Sequence, residues 1–177
     1  MTVEQVFQNS VIKRFSDSKK LGDRTFEQLG DAEMHFQPEE ESNSIAVIIQ
    51  HMHGNMLSRW TNFLTEDGEK SWRNRDEEFE IKKFSKQELL KLWEEGWAVV
   101  FDTLSKLSAE DLGKTIYIRS EPHSVVDAIN RQIAHYSYHV GQIVFLGKWI
   151  RSSQWQTLSI PKKGSAIFNK NMMGGRH

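Results

Sequence analysis

Four long segments of the chain repeat apolar residues at intervals of three and four positions, with polar and charged residues between them. Such intervals place side chains on one face of a helix. The apolar positions are Val3, Phe7, Val11, Phe15 and Phe26 in the first segment, Ile45, Ile48, Ile49, Met52, Met56, Trp60 and Phe63 in the second, Leu89, Leu92, Trp93, Trp97, Val100, Phe101 and Leu104 in the third, and Val126, Ile129, Ile133, Val140 and Ile143 in the fourth. Four amphipathic helices can bury these stripes against one another, so the pattern predicts an all-α four-helix bundle.

Capping residues help to set the predicted helix boundaries. The first helix covers about residues 2–29, and the second begins after residues 42–44 (Ser-Asn-Ser), any of which could cap it. The third opens at Ser85 and the fourth at Ser124. Each of these serines is followed three positions later by an acidic residue, which is the capping-box pattern. We expect the fourth helix to run to about Trp149.

Two segments between these helices have a distinct character. Residues 65–84 are highly charged and long for a link between neighbouring helices, which argues against a simple hairpin of helices two and three. We expect the acidic run at residues 76–80, inside this link, to be a solvated surface. Residues 115–119 are β-branched and aromatic, so we expect them to be briefly extended.

The C-terminal part of the chain loses helical periodicity after Trp149, and Pro161 and Gly164 interrupt any continuation. We therefore expect the bundle to occupy residues 1–151. Residues 152–177 should form an irregular extension packed on the bundle, with a disordered end. The apolar residues available for this packing are Trp155, Leu158, Ile160 and Phe168.

Composition and charge narrow the range of functions. The 177 residues include 23 Lys and Arg, 24 Asp and Glu and no Cys, which gives a formal net charge of −1. Disulfide scaffolds and thiolate zinc sites require Cys, and general nucleic-acid binders require surplus positive charge. No stretch approaches the roughly 20 apolar residues that cross a membrane, and the N-terminus does not resemble a signal peptide. We therefore expect a cytoplasmic protein without nucleic-acid or membrane partners, whose seven histidines are its strong metal-binding side chains.

Two of these histidines, His135 and His139, lie four positions apart on the fourth predicted helix. This spacing places both imidazoles on one face, one turn apart, where they can share a metal ion. Together with Gln142 they form a polar strip beside the apolar stripe, at the edge of the predicted core. The strip is a candidate metal site.

The second predicted helix offers two candidates for a third ligand. His51 lies on a polar strip with Asn55, whereas His53 falls among apolar neighbours. On periodicity alone, His51 could be exposed and His53 could be the histidine that reaches the bundle interior. The helical wheel leaves the choice between them open.

A third imidazole would change the chemistry of the site. Three neutral imidazoles leave a divalent ion its full charge and an open coordination position, which is typical of catalytic rather than structural zinc sites. The open position could take water or a thiolate. Imidazole suits zinc, nickel, copper or iron, and the sequence does not choose among them.

Two motifs resemble those of the DinB-like superfamily of four-helix metalloenzymes. Residues 44–51 (SIAVIIQH) resemble its second-helix motif, a small hydroxyl residue and an apolar run that ends in a ligand histidine. Residues 135–142 (HYSYHVGQ) resemble its fourth-helix motif, His-x-x-x-His followed by Gln or His. The resemblance assigns His51, His135 and His139 as the metal ligands.

The same resemblance implies an up-down-down-up order of helices, a homodimer, and one divalent transition metal, with zinc or nickel favoured over iron. The superfamily includes thiol-dependent S-transferases and an isomerase that uses a low-molecular-weight thiol. By this resemblance we expect a metal-dependent S-transferase that acts on a small-molecule substrate with a small thiol. The alternatives are a metal-dependent hydrolase, or a non-catalytic, stress-related dimeric bundle with a vestigial metal site. Residues that could support the site or orient the substrate are His53, Asn55, Arg131, Tyr138 and Gln142.

Overall fold

The computed structural model describes residues 1–174, and most of them are helical. The helices are α1 (Val3–Phe26), α2 (Asp31–Met34), α3 (Ile45–Trp60), α4 (Lys86–Lys106), α5 (Val125–Arg151) and α6 (Ser165–Gly174). The strands are β1 (Thr115–Ile118) and β2 (Glu121–Ser124), and short 3-10 helices occupy Asp76–Phe79, Glu110–Gly113 and Ser152–Gln154. The predominance of helix confirms the coarser part of the predicted fold class, and a small two-stranded hairpin accompanies the helices. Over the described residues, no helix combines the length and apolar character needed to cross a membrane.

The four long helices begin at side-chain caps. Ser44 accepts a hydrogen bond from the backbone of Val47, and Ser85 forms the predicted reciprocal capping box with Glu88. Ser124 accepts from the Asp127 amide at 3.1 Å, but its box is not closed. The Asp127 carboxylate binds the His123 ring at 2.6 Å instead. An imidazole partner has therefore replaced the backbone amide that the sequence pattern predicted.

The first predicted helix differs from the observed one at its C-terminal end, and the burial of its apolar stripe differs at the N-terminal end. It ends at Phe26 rather than residue 29, and α2 follows as a separate single turn. Leu29 is still buried, because the chain folds back on the core after the helix ends. Val3 is 81% exposed, so burial of the apolar stripe does not extend to the first turn. The stripe is fully buried only from Val11 onward.

The centre of the core is a cluster of aromatic rings, one from each long helix. Phe15, Trp60, Trp97 and Tyr136 come from α1, α3, α4 and α5, and all four are buried. The Phe15 ring centroid lies 5.8 Å from those of Trp60 and Tyr136 and 6.0 Å from that of Trp97. Aromatic pairs at such distances contribute about 0.5–1.5 kcal/mol each beyond the burial of their area. The cluster therefore fixes the rotation of all four helices around one point.

The β-hairpin confirms the expected extended segment and adds a strand that was not predicted. β1 pairs antiparallel with β2 through a two-residue turn, in which Arg119 and Ser120 have φ of 57° and 62°. Two positive φ angles match the twist of a tight hairpin. The Asp67 carboxylate accepts both turn amides, at 2.8 and 2.7 Å. The sequence of β2 contains Pro122 and lacks apolar alternation, so no strand signal was available there.

The charged link between α3 and α4 returns to the helices and is not simply solvated. The Ser58 hydroxyl donates to the Gly68 carbonyl at 2.7 Å and accepts from the Lys70 amide at 3.2 Å. Further along the link, Glu78 is buried. The expectation that the whole acidic run faces solvent is therefore wrong at Glu78, because this carboxylate has cationic and imidazole partners inside the fold.

The C-terminal extension is irregular over residues 155–164, as expected, but it then forms a helix that was not expected. α6 forms after Gly164, but none of its residues is buried, and Phe168 is 44% exposed. The segment before α6 is joined to α1 and its C-terminal turn by hydrogen bonds between Gln28 and Gln156 and from Arg24 to the Leu158 carbonyl. The predicted disorder of the chain end falls partly on residues 175–177, which lie outside the described residues.

The Gly22→Ala substitution tests the contact between α1 and α4. A Cβ at this position would overlap the buried Trp93 ring. Overpacking costs about 1–3 kcal/mol and replacing a helical Gly recovers about 0.5–1 kcal/mol, so we expect the free energy of unfolding to fall by about 1–2 kcal/mol. Gly141→Ala in α5 is the control, because its Cβ would enter open space and should stabilise the helix. Urea denaturation measures both, and equal effects would contradict the predicted overlap.

Candidate metal centre

Helices α3 and α5 bring three histidines together at one point. One ring nitrogen from each of His51, His135 and His139 lies within 4.8 Å of the other two. The Nε2 atom of His135 is 3.0 Å from that of His139 and 3.4 Å from that of His51. Imidazole nitrogens about 2.0–2.1 Å from a tetrahedral ion are about 3.3 Å apart, so the cluster fits a shared divalent metal. His51 is only 5% exposed, so the alternative in which it faces solvent is wrong, and it is His51 rather than His53 that lies in this cluster.

The packing of Tyr136 orients the two histidines of α5, His135 and His139, toward α3. Tyr136 lies between them in sequence, and its ring is fully buried in the aromatic core. Its hydroxyl accepts a hydrogen bond from Trp60 Nε1 at 2.9 Å and donates one to Asn55 Oδ1 at 3.1 Å. Both partners belong to α3. The predicted site residue Asn55 therefore holds the tyrosine that orients the α5 face.

Two hydrogen bonds set which nitrogen of each histidine is available to a metal. A carboxylate only accepts, so the 2.9 Å contact between His51 Nδ1 and Glu78 Oε2 places the proton on Nδ1. His139 Nδ1 likewise donates to Gln142 Oε1 at 2.9 Å. In both rings Nε2 is then free to bind, in the arrangement by which proteins orient histidine ligands. Gln142 was a predicted site residue, and it contacts the His139 ring.

Glu78 is held firmly where it meets His51. Arg73 donates to both of its carboxylate oxygens, at 2.7 and 2.9 Å. Burial alone would raise the pKa of Glu78, but the hydrogen bonds from His51 and Arg73 outweigh it and lower that pKa. The carboxylate also lies so close to Gly54 that a Cβ there would overlap it. A larger residue at position 54 would displace Glu78 from the site.

Two of the three histidines, His135 and His139, lie in surroundings that favour the neutral imidazole. Burial, followed by the nearby charges of His139, His51, Arg59 and Arg73, lowers the pKa of His135 to about 3. Burial also lowers the pKa of His139 to about 4, although the Gln142 hydrogen bond partly opposes it. Metal ligation requires deprotonated imidazole, so both rings are in the binding form at neutral pH.

The cluster opens into a cavity of about 420 Å³. Besides the three histidines, three further predicted site residues line it: Asn55, Arg131 and Tyr138, of which Tyr138 is 61% exposed at the rim. His53 does not reach it. His53 Nε2 is 3.4 Å from Glu95 Oε2, and the residue borders a separate cavity on the other side of α3.

Several residues of the site were missed by sequence reasoning. They are Arg59, Arg73, Arg75, Glu78, Phe79, Arg119 and Gln132. Phe79 stacks on the His51 ring with centroids 4.8 Å apart, and the Arg75 guanidinium lies 4.9 Å from the Phe79 centroid. The available signal was Phe79, a lone aromatic residue inside the acidic run at residues 76–80. A fully solvated charged segment would not be expected to contain a large apolar side chain.

Comparisons with known proteins place the chain in a family. It belongs to the family described as "Protein of unknown function (DUF1572)", whose model matches residues 2–164. One similar solved structure is described as the crystal structure of the conserved protein of locus from Enterococcus faecalis. It shares 17% identity and a TM-score of 0.61, over 85% of this chain and 98% of that one, which is a likeness of fold. No curated protein matches the chain.

The Glu78→Gln substitution tests the hydrogen bond that orients His51. An amide can present its NH₂ or its oxygen to Nδ1, and it loses the charge that raises the basicity of the ring. Removal of such partners typically costs about 10–100-fold in metal affinity, and we expect a loss in that range. Zinc titration against a competing chelator measures it. Glu77→Gln is the matched control, since the Glu77 side chain is exposed and, among the described residues, its carboxylate is hydrogen-bonded only by Asn74. Equal losses in both variants would contradict the assigned role.

Proposed function

We propose that this protein is a divalent-metal-dependent enzyme of the DinB-like superfamily, with His51, His135 and His139 as its metal ligands. The observation that carries the proposal is the convergence of three ring nitrogens within 4.8 Å at the wall of a cavity. Hydrogen bonds that leave Nε2 free on two of the rings add support. Zinc or nickel is the favoured metal, and iron is the further option.

The reaction we propose is an S-transfer, in which the sulfur of a small thiol attacks an electrophilic substrate. A divalent ion with an open position would act as a Lewis acid and lower the pKa of a thiol or a water molecule. The chain itself supplies orientation, through Glu78 on His51 and Gln142 on His139. It contains no Cys, so the thiol nucleophile would come from a cosubstrate. The lowered pKa values of His135 and His139 keep both imidazoles neutral, so that both can bind a metal at neutral pH.

The directions of the helices support the up-down-down-up order of this superfamily. Between α1 and α5, Phe15 contacts Tyr136 and Thr25 lies beside Gly147. Between α3 and α4, His53 lies beside Gly96 and Trp60 contacts Thr103. Between α3 and α5, His51 contacts His139 and Trp60 contacts Tyr136. Residue numbers rise together in the first two pairs of helices and oppose each other in the third. Parallel α3 and α4 would also account for the long link at residues 65–84.

Metal content is the direct test of the ligand assignment. Protein purified without a polyhistidine tag and reconstituted with zinc or nickel should bind one equivalent per chain, measured by plasma mass spectrometry. His139→Ala should lose stoichiometric metal, because two imidazoles remain. His53→Ala is the matched control and should retain it, since His53 contacts Glu95 instead. Retention by His139→Ala, or loss by His53→Ala, would show that the assignment is wrong.

A thiol-conjugation screen tests the reaction class. Metal-loaded protein is assayed with glutathione, bacillithiol and mycothiol against a panel of electrophiles. We expect turnover with at least one thiol and none for His139→Ala, because the bound metal activates the nucleophile. Hydrolysis of ester or amide substrates without thiol use would instead favour the hydrolase. Stoichiometric metal without any turnover would favour a non-catalytic bundle.

A further inference from the structure

The cavity beside the histidines is strongly cationic. Five arginines line it, at positions 59, 73, 75, 119 and 131, and no carboxylate is among its lining residues. The nearest partners are Glu69 and Glu78. Arg59, Arg73 and Arg119 all contact the same oxygen of Glu69, at 3.0, 3.5 and 3.1 Å. Positive charge therefore exceeds the negative charge available to neutralise it.

Two of the five arginines have no anionic partner within the described part of the chain. Arg131 lies on α5, one turn before His135, and makes no ion pair there. Arg75 lies over the Phe79 ring and also makes no ion pair among residues 1–174. Both are exposed at the cavity wall. Their guanidinium donors are available to a ligand.

A buried amide supplies an independent sign of a missing partner. Gln132 lines the same cavity and is only 3% exposed, yet among residues 1–174 its Oε1 has no hydrogen-bond partner. Buried polar groups are nearly always satisfied, and one left unsatisfied in a cavity wall indicates a site for a ligand or an ordered water. Gln132 is adjacent to Arg131 and one turn from His135, so the same ligand can reach all three.

On the basis of the proposed metal site, we propose that the cavity takes a small organic substrate that carries a carboxylate or phosphate group, bound by Arg131 and Arg75 beside the histidine cluster. Guanidinium groups match these oxyanions in geometry and form charge-assisted hydrogen bonds. One helical turn separates Arg131 from His135, a rise of about 6 Å along α5. The anionic group would therefore lie a few bonds from the atom that reacts at the metal. Arg131 and Arg75 position the substrate, and Gln132 Oε1 accepts a hydrogen bond from a hydroxyl or amine group of it.

Calorimetric titration of anions into the intact protein tests this site. Inorganic phosphate, succinate and the neutral succinamide are titrated into zinc-loaded and metal-free wild type at low ionic strength. We expect at least one of the two anions to bind and succinamide not to bind. Binding of phosphate alone indicates a phosphate-bearing substrate, and binding of succinate alone indicates a carboxylate.

Arg131→Met and Arg75→Met should each weaken anion binding by roughly 10- to 100-fold, the usual effect of losing a charge-assisted hydrogen bond. Arg14→Met on the exposed face of α1 is the matched control and should bind as wild type does.

Metal content measured on the same samples separates this inference from the proposed function. If zinc-loaded protein binds neither anion, binds succinamide equally well, or keeps wild-type affinity in both arginine variants, the anion site is wrong while the metal site stands. If the protein takes up no metal but binds an anion in a manner that depends on Arg131, the anion site stands and the metal proposal fails. Thermal melting checks that each variant is folded.

Discussion

The burial of Tyr136 is the interaction on which the rest of the site depends. Its ring packs against Phe15 and Trp97, and its hydroxyl is bound on both sides by residues of α3. A helix has only one rotation that buries a given side chain, so fixing Tyr136 fixes the directions of its neighbours. His135 and, one turn on, His139 consequently face α3. The geometry of the histidine cluster therefore follows from core packing, and the cluster shares the rigidity of a close-packed interior.

The helices alone would leave the site incomplete, and the link between α3 and α4 completes it. Burying a carboxylate and a guanidinium is costly unless both are paired. Glu78 and Arg73 meet this requirement through their two-point contact, and the remaining capacity of Glu78 is used by His51. The hairpin restrains the same link, because Asp67 binds the turn amides at Arg119 and Ser120. Three parts of the chain that are distant in sequence thus cooperate to orient one imidazole.

The parts of the structure that sequence could predict are those set by local periodicity. Steps of three and four residues predicted the long helices, and the i, i+4 pair predicted that His135 and His139 share a face. Periodicity could not choose between His51 and His53, because the burial of His51 depends on Glu78, 27 residues away. The resemblance to a known motif favoured His51, which the structure places in the cluster. Glu78 itself was unpredictable for the same reason: an acidic run is solvated by default, and only the long-range contacts of the link bury one of its members.

The proposed metal site and the proposed anion site are coupled by their charges. The arginines around the cavity oppose a bound cation. Burial is the main reason for the low pKa of His135, and Arg59 and Arg73 lower that pKa further. Glu78 offsets part of this repulsion at His51, but Arg75 and Arg131 remain uncompensated within residues 1–174. An anionic substrate would neutralise the charge that disfavours the metal, and a divalent ion would strengthen the attraction for the anion. Linkage makes this effect reciprocal, so each would raise the affinity of the other by the same factor. The arginines would thus make the site selective for anionic over neutral substrates, since a neutral molecule of similar size would leave the positive charges of the cavity unbalanced.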